Sequence, residues 1–261
     1  MKYIAVTTLF LLLGCSKPQL QPIIEETLPI EPKIEEVETK VNQCPNEMVL
    51  VSGNYCPETN HKCLDWLDDP ALPYARCKTY EKPSTCLKPK IPLSFCIDQY
   101  EQHDNYKRPL GNKSYTECSA ICESQHGRLC NDYEWEFACS GEQMLPYPYG
   151  YERNNKTCYT EVKAVEGIDP VCGKEMCDLR KPVGSYLNCK SPFDVYDMVG
   201  SQDEWVKTTP YYSRYTKELL TTGLKGGHYS HGRNRCQATT TEHSFHYSQI
   251  LHGCRCCSDI K

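Results

Sequence analysis

The sequence predicts an α+β fold that is rich in loops and stapled by disulfide bonds. Strand-like alternation occurs in short runs bounded by Pro, Gly or Asn, and two helical segments stand out, of which the second opens with a capping-box pattern. The chain also has 19 cysteines among 261 residues. No repeat of 20 to 50 residues is visible, which disfavours a solenoid or a propeller.

The clearest strands are predicted over residues 48–51 and 93–97. A first helix is predicted over residues 114–125. A second helix is expected to open at Asn131, because Glu134 follows three residues later in a capping-box pattern. Trp135, Phe137 and Ala138 of this helix are then expected to face the core.

The N-terminus predicts a lipoprotein signal peptide over residues 1–14. A basic start at Lys2 precedes an apolar run over residues 4–13, and Leu13-Gly14-Cys15 forms a small-residue cleavage site. The alternative is a transmembrane anchor or a buried helix, but a bilayer span needs about 20 apolar residues. We expect lipidation at Cys15, and Ser16 after it favours the outer membrane of a Gram-negative envelope.

Residues 15–43 are expected to form a lipid-anchored tether. They are rich in Pro and Glu and contain neither aromatic residues nor glycine. A short amphipathic helix over residues 31–41 is the alternative. Residues 44–261 are long enough for one domain with a sizeable core.

The charge of the chain argues against nucleic acid as a partner. The formal net charge is −5, of which the tether carries about −3. No basic run is longer than a dipeptide such as Arg180-Lys181. The polyanion backbone of nucleic acid calls for more positive charge than this.

Disulfide bonds are the default interpretation of the cysteines. If Cys15 carries lipid, 18 cysteines remain, an even number in an oxidising compartment. Zinc is the alternative. The close spacings, Cys118 with Cys122 and the group Cys254, Cys256 and Cys257, lack the paired C-x2-C pattern of structural zinc sites.

A series of short phrases in fixed order runs along residues 48–257. They include Phe95-Cys96-Ile97-Asp98-Gln99-Tyr100-Glu101, Arg128-Leu129-Cys130-Asn131-Asp132-Tyr133-Glu134-Trp135-Glu136-Phe137-Ala138, Pro182-Val183-Gly184-Ser185, Tyr196-Asp197-Met198-Val199-Gly200, Asp203-Glu204-Trp205-Val206, Lys225-Gly226-Gly227 and Gly253-Cys254-Arg255-Cys256. In these phrases the chain resembles the formylglycine-generating enzyme family, the sulfatase-modifying factor domain. The resemblance implies that family's variant of the C-type lectin fold.

The resemblance also implies where a copper site would lie. Oxidase members of the family hold copper(I) on two thiolates spaced C-x4-C after the Gly-Gly pair, and thiolates are the soft ligands that copper(I) selects. Here His231 stands at the first position and the second has no counterpart, while Cys236 matches a later structural cysteine. We therefore expect copper to be absent, although whether the chain is an enzyme stays open.

Five histidines fall within the last 34 residues. They are His228, His231, His243, His246 and His252. A transition-metal site there is conceivable, but none of these residues shows the helical i, i+4 pairing of H-E-x-x-H sites. Surface or hydrogen-bonding roles are the simpler interpretation.

Calcium is the cofactor that the resemblance supports. Its loop would use the side chains of Asp197 and Glu204 and the backbone oxygens of Gly200 and Gln202, and oxygen ligands suit calcium. Trp205 would pack beneath this loop. The alternative is that Asp197 and Glu204 are ordinary solvated charges.

The resemblance further implies a disulfide between Cys139 and Cys256. Such a closure of a long loop is worth about 4 to 5 kcal/mol in the chain-entropy model. Cys254 replaces the phenylalanine usual in the family phrase. It is expected to be either an additional disulfide partner or a free thiol.

The leading functional hypothesis is an envelope lipoprotein that binds a protein or a glycan and lacks the copper oxidase activity. Tyrosine-rich loops suit recognition, and the candidate surface consists of Tyr211, Tyr212, Tyr215, His228, Tyr229 and His231. One alternative is an oxidoreductase that makes formylglycine from cysteine, or an altered metal-dependent oxidase. Another is a structural envelope protein.

Overall fold

Short strands and two helices make up the regular structure. The computed structural model describes residues 43–45, 47–72, 75–162, 178–230 and 233–260. The strands are β1 (Met48–Tyr55), β2 (Thr59–Asn60), β3 (Cys63–Trp66), β4 (Cys77–Tyr80), β5 (Thr85–Cys86), β6 (Ile91–Asp98), β7 (Arg128–Leu129), β8 (Asp203–Tyr212), β9 (Leu219–Lys225), β10 (Thr239–Thr240), β11 (His252–Gly253) and β12 (Cys256–Ser258). The helices are α1 (Tyr115–Ser124) and α2 (Asp132–Ser140).

Three predictions fall on residues outside this description. They are the signal peptide over residues 1–14, the lipidation of Cys15 with all of the 15–43 tether except Gln43, and the position of His231. Among the helices that are described, none is long and apolar enough to cross a membrane.

Two four-stranded sheets organise the domain. The first has the order β1-β6-β12-β7 and is antiparallel throughout. The second has the order β10-β9-β8-β11, in which β11 runs parallel to β8. The two predicted strands are confirmed, because they lie within β1 and β6 and pair with Val51 opposite Phe95.

Both helices start at capping boxes, of which the one at Asn131 is predicted from the sequence. At α1 the Glu117 N–H donates to the Ser114 hydroxyl, and the Ser114 N–H donates to the Glu117 carboxylate. At α2 the Glu134 carboxylate accepts the backbone N–H and the side-chain amide of Asn131. These contacts satisfy backbone donors that lack partners inside a helix.

The main core lies between α2 and the first sheet. Trp135, Phe137 and Ala138 are fully buried there, as the sequence predicts. They share one apolar cluster with Val51 and Phe95 of the paired strands. This burial of large side chains anchors α2, which carries too few residues to be stable alone.

Every cysteine in the described part of the chain lies in a disulfide bond. The eight bonds are Cys44–Cys96, Cys56–Cys86, Cys63–Cys77, Cys118–Cys254, Cys122–Cys256, Cys130–Cys257, Cys139–Cys236 and Cys158–Cys189. The disulfide interpretation is therefore confirmed for these sixteen residues. The other three, Cys15, Cys172 and Cys177, are outside the described residues.

The predicted bond between Cys139 and Cys256 is wrong. Cys139 at the end of α2 pairs with Cys236, and Cys256 pairs with Cys122 of α1. The reason is geometric, because Cys118 and Cys122 are four residues apart and so lie on one face of the helix. Cys118 bonds Cys254, and Cys122 bonds Cys256, two residues further along. The two Cα atoms of each bonded pair are 5.4 Å apart. Cys254 is thus an additional disulfide partner.

Residues 56–90, between β1 and β6, form a cysteine-rich segment of two small ribbons. The ribbon β2–β5 is closed by Cys56–Cys86, and the ribbon β3–β4 is closed by Cys63–Cys77. Isolated two-stranded ribbons are marginally stable in water. The two disulfides supply the constraint that a small core cannot.

Candidate functional site

A tight turn follows β9 at Gly226 and Gly227. Their φ angles are +87° and +69°, in the region that favours glycine. A Cβ atom on Gly226 would lie 2.8 Å from the Met198 carbonyl oxygen, and one on Gly227 would lie 2.7 Å from the Asn234 amide nitrogen. Glycine at both positions therefore lets the chain turn closely over β8, where the Gly227 N–H bonds to Asp203.

A pocket of about 470 Å³ opens beside this turn. Its lining comes from residues after the turn, from the chain before β11, and from Asp68 and Arg76 between β1 and β6. The residues that give it chemical character are Asp203, His228, Arg233, His243, Tyr247 and His252. The pocket joins parts of the chain that are far apart in sequence, from Asp68 to His252.

Stacked rings make one side of the pocket rigid. The His243 and Tyr247 rings are nearly parallel, with centroids 4.3 Å apart. His252 lies 5.1 Å from Tyr247 and 5.6 Å from Trp205, centroid to centroid. Offset and edge-on ring contacts of this kind hold side chains in fixed orientations.

His252 is the most unusual residue of the pocket. It is buried, and its Nδ1 atom has no hydrogen-bond partner among the described residues. Burial lowers the pKa of His252 to about 3, and the nearby His243 and His228 contribute to the shift. The imidazole is therefore neutral at neutral pH, and its Nδ1 atom is a buried polar atom without a hydrogen bond.

Asp203 faces His252 across the strand pair. The parallel pairing of β11 with β8 sets His252 in register with Asp203. Burial raises the pKa of Asp203 to about 7, against the opposing effects of Arg233 and the Gly227 N–H. The pocket thus contains a carboxyl group that titrates near neutrality.

The family of the chain follows from its match to a family model. The model of the sulfatase-modifying factor enzyme 1-like domain matches residues 73–260. The chain belongs to the sulfatase-modifying factor family. The match begins after β3, so the first ribbon strands of the cysteine-rich segment precede the matched region.

Solved structures are similar to this member of the sulfatase-modifying factor family in fold. CarF is 14% identical with a TM-score of 0.55, covering 83% of this chain and 99% of that one. PvdO from Pseudomonas aeruginosa is 15% identical with a TM-score of 0.50, covering 84% and 95%. No curated protein matches the chain. The expected variant of the C-type lectin fold is confirmed.

The predicted calcium residues surround a buried arginine. The Arg255 guanidinium donates to both oxygens of Glu204, at 2.8 and 2.7 Å. The Trp135 indole N–H donates to the same carboxylate at 2.5 Å. Asp197 accepts the Gly184 N–H at 2.7 Å. Both carboxylates are therefore buried and hydrogen-bonded, so they are not solvated surface charges.

A third carboxylate completes this cluster. Glu101 accepts the Ser201 hydroxyl and the Gln202 N–H. Burial, with Glu204 and Asp197 adding to it, raises the pKa of Glu101 well above its usual value. Burial likewise raises the pKa of Asp197 to about 6, because one guanidinium cannot neutralise three carboxylates.

The hydrogen bonds of Glu204 are poorly compatible with its predicted role as a calcium ligand. Glu204 already gives both oxygens to a cation and an indole, so a divalent ion would have to share them with Arg255. Across the described residues, no three His, Cys, Asp or Glu side chains are arranged to hold a metal ion. Calcium on Asp197, Gly200, Gln202 and Glu204 stays a prediction, and no chemistry here depends on it.

The structure brings only some residues of the candidate binding surface to the pocket. His228 lines the pocket, as expected of a binding residue. Tyr211, Tyr212 and Tyr215 are absent from its lining and lie along the β8–β9 hairpin. The assignment of Tyr229 to a surface is wrong, because its ring is fully buried against Tyr159.

Of the residues that build the pocket, only His228 is predicted from the sequence as a binding residue. His243 and His252 were noted only as part of a histidine-rich stretch, and Asp203 and Tyr247 were not proposed as site residues. Their meeting depends on the parallel pairing of β11 with β8. The concentration of histidines near residue 250 was the one local signal that could have pointed to it.

Proposed function

We propose that this chain is a binding member of the sulfatase-modifying factor family and not a formylglycine-generating oxidase. The supporting observation is the pocket beside Gly226 and Gly227. Its described walls carry histidine, tyrosine and aspartate side chains but no cysteine, and Cys236 after the turn is tied to Cys139. Copper(I) favours thiolate ligands, so this pocket is poorly suited to hold that ion.

The pocket is suited to a polar ligand with one flat or apolar face. The ring stack of His243 and Tyr247 offers a planar wall. His252 adds a neutral imidazole to the lining, and Asp203 adds a titratable carboxyl. A cavity of about 470 Å³ accommodates a small group, so a portion of a glycan or of a protein side-chain cluster would enter it.

In this proposal the protein works at the cell envelope. Cys15 carries lipid, and residues 15–43 hold the domain away from the membrane. The disulfide-rich domain suits an oxidising compartment. Mass spectrometry of the membrane-extracted protein tests the anchor, since a diacylglycerol adduct is expected on an N-terminal peptide that starts at Cys15.

The binding hypothesis is tested by substituting His252. The His252→Phe variant keeps a ring between Trp205 and Tyr247 and removes both imidazole nitrogens from the pocket lining. Binding on a glycan array and to envelope proteins in chemical crosslinking is expected to fall for this variant. His246→Phe is the matched control, because His246 is exposed and absent from the pocket lining.

The oxidase alternative is tested on the same protein. It is incubated with copper(I) under mild reducing conditions and a cysteine-containing sulfatase peptide. Tight copper binding together with loss of the cysteine mass signature in favour of formylglycine would contradict the proposal. Unchanged peptide with retained binding in the array is the expected outcome.

Calcium binding is a separate proposal with its own test. Calorimetric titration of the chelator-treated protein is compared with that of an Asp197→Asn variant. If the loop binds calcium, the ion raises the melting temperature of the wild type, and the variant shows a smaller increase. If the wild type shows neither binding heat nor a change in melting temperature, the protein does not bind calcium.

A further inference from the structure

A second groove lies between the cysteine-rich segment and the rest of the domain. It measures about 230 Å³ and shares Arg76 and Arg233 with the first pocket. We call it the arginine groove. The lining residues used below are Trp66, Arg76, Tyr80, Arg153, Arg233 and Arg235.

The arginine groove carries an excess of positive charge. Four guanidinium groups line it, and its described lining contains no carboxylate. Asp68 pairs with Arg76, and Glu161 pairs with both Arg76 and Arg153. Asp203 of the first pocket interacts electrostatically with Arg233. Four positive charges against these three negative charges leave one in excess, in a chain whose formal net charge is −5. A concave surface with such an excess concentrates anions.

The arginines are held in place before any ligand arrives. Arg76 donates to both oxygens of Asp68, at 2.7 and 2.8 Å, and to Glu161 at 3.2 Å. These bonds use three of the five N–H groups of a guanidinium, so two remain. Arg153 donates to Glu161 at 2.6 Å, and its guanidinium lies over the Tyr147 ring. Fixed side chains lose little entropy when a ligand binds.

Arg235 is the cation with the most binding capacity left. It is half-buried, and the side-chain hydrogen bond of its guanidinium to the described residues is a long one, 3.4 Å to the Tyr80 hydroxyl. No carboxylate in the described part of the chain forms an ion pair with it. Its planar fork is therefore available for two parallel bonds to a carboxylate or sulfate group.

An exposed indole forms the rim of the groove. Trp66 on β3 is 42% exposed, and Leu72 beside it is 55% exposed. Large exposed apolar side chains beside an arginine cluster are typical of binding surfaces. A flat ring above a charged floor matches a sugar unit that bears an acidic group.

A glycan fits this groove better than a peptide strand does. Peptides add to sheets through an open strand edge. The strand β4 provides Cys77 and Tyr80 to the groove, but β3 pairs with one of its edges. At the other edge the Tyr80 N–H donates to the Tyr151 oxygen and the Arg153 N–H donates to the Lys78 oxygen. Recognition must then come from side chains.

We propose that the arginine groove binds an acidic glycan, with a carboxylate or sulfate held by Arg235 and Arg76 and the sugar ring packed on Trp66. The inference rests on the proposed function in treating the chain as a binding protein. It deepens that function by naming the ligand class. The four arginines with no lining carboxylate are the observation that carries it.

Tryptophan fluorescence tests this proposal directly. The chain has three tryptophans, and Trp135 and Trp205 are fully buried, so Trp66 dominates quenching by acrylamide. The protein is titrated with heparin oligosaccharide and oligogalacturonate, with maltohexaose as the neutral control and poly-glutamate as the acidic peptide. The acidic glycans are expected to protect Trp66 from quenching, with an affinity that falls as salt rises. The two control ligands are expected not to protect it.

Variants assign the binding to the groove. Arg235→Gln is expected to weaken acidic-glycan binding by about tenfold or more, because it removes charge-assisted hydrogen bonds. Arg214→Gln removes the same charge outside the groove lining and should change affinity less than about twofold. Trp66→Ala, followed by calorimetry, should also weaken binding.

Three outcomes would overturn the proposal. They are no protection by either acidic glycan, equal protection by poly-glutamate, and unchanged affinity in Arg235→Gln. The proposed function is tested separately from the arginine groove. Binding that is lost only in His252→Phe would support the binding function and would contradict the groove as the ligand site. Formylglycine production would remove it even if acidic glycans bind.

Discussion

At the scale of single residues, His252 illustrates how packing determines protonation. Its ring is enclosed by Trp205, Tyr247 and His243, so the charged form would lose its hydration without gaining a carboxylate partner. The pKa of His252 falls to about 3 for this reason. The same enclosure leaves its buried Nδ1 atom without a hydrogen-bond partner among the described residues.

The low pKa of His252 predicts acid sensitivity. The unfolded chain takes up a proton near pH 6.5, whereas the folded chain does so near pH 3. Stability therefore falls as pH drops through this window, by up to about 1.4 kcal/mol per pH unit from this residue. The His252→Phe variant should lose less stability between pH 6.5 and 4 in urea unfolding. An identical acid slope in wild type and variant would contradict this assignment.

Glu204 and Arg255 form the ion pair whose loss should matter most. Both side chains are fully buried, and Glu204→Gln would leave the guanidinium without its bonded partner. Breaking such a pair costs about 3 kcal/mol or more. Chemical denaturation measures the loss, with exposed Glu218→Gln as the control, which should change stability by less than about 0.5 kcal/mol. Equal effects of the two variants would mean that the pair is not stabilising.

At the scale of elements, α1 and β12 are joined as a ladder. Two bonds, Cys118–Cys254 and Cys122–Cys256, join successive turns of the helix to two positions at or just before the start of the strand. A third bond, Cys130–Cys257, lies nearby. Each bond closes a loop of more than 120 residues if it is considered alone. Together they are redundant, because any one of them already brings the two segments close in the unfolded chain.

Because of this redundancy, removing one of the three disulfide bonds is predicted to lower the stability of the protein only slightly. A Cys118→Ser, Cys254→Ser double variant should lose about 2 to 3 kcal/mol, as for a short loop, and not the roughly 5 kcal/mol of an isolated long loop. Denaturant unfolding without reductant provides the measurement. As a comparison, the Cys139→Ser, Cys236→Ser variant removes a bond outside the ladder and should cost more. Equal losses in the two variants would contradict the redundancy.

Local patterns in the sequence predict the elements well and their contacts poorly. The capping boxes at Ser114 and Asn131 involve neighbours within three residues, so both helix starts follow from the sequence. The partner of Cys139 depends on which element lies beside α2, and the family resemblance pointed to the wrong one. The pocket depends on the β11 pairing, which joins residues nearly fifty positions apart.

At the scale of the whole molecule, the cysteines predict a near absence of thiols. All sixteen described cysteines are paired, and Cys15 is expected to carry lipid. Alkylation of the unreduced, denatured protein should label at most Cys172 and Cys177. Peptide mapping by mass spectrometry identifies the labelled residues. Label on Cys118, Cys236 or Cys254 would contradict the pairing described here.

The three bonds near the chain end also impose an order on biosynthesis. Cys118, Cys122 and Cys130 are made 136, 134 and 127 residues before their partners. During that interval their correct partners do not yet exist, while incorrect ones such as Cys139 already do. A chain synthesised from its N-terminus must therefore either keep these thiols reduced or exchange early bonds for later ones. Its yield should depend on a disulfide isomerase in the host compartment.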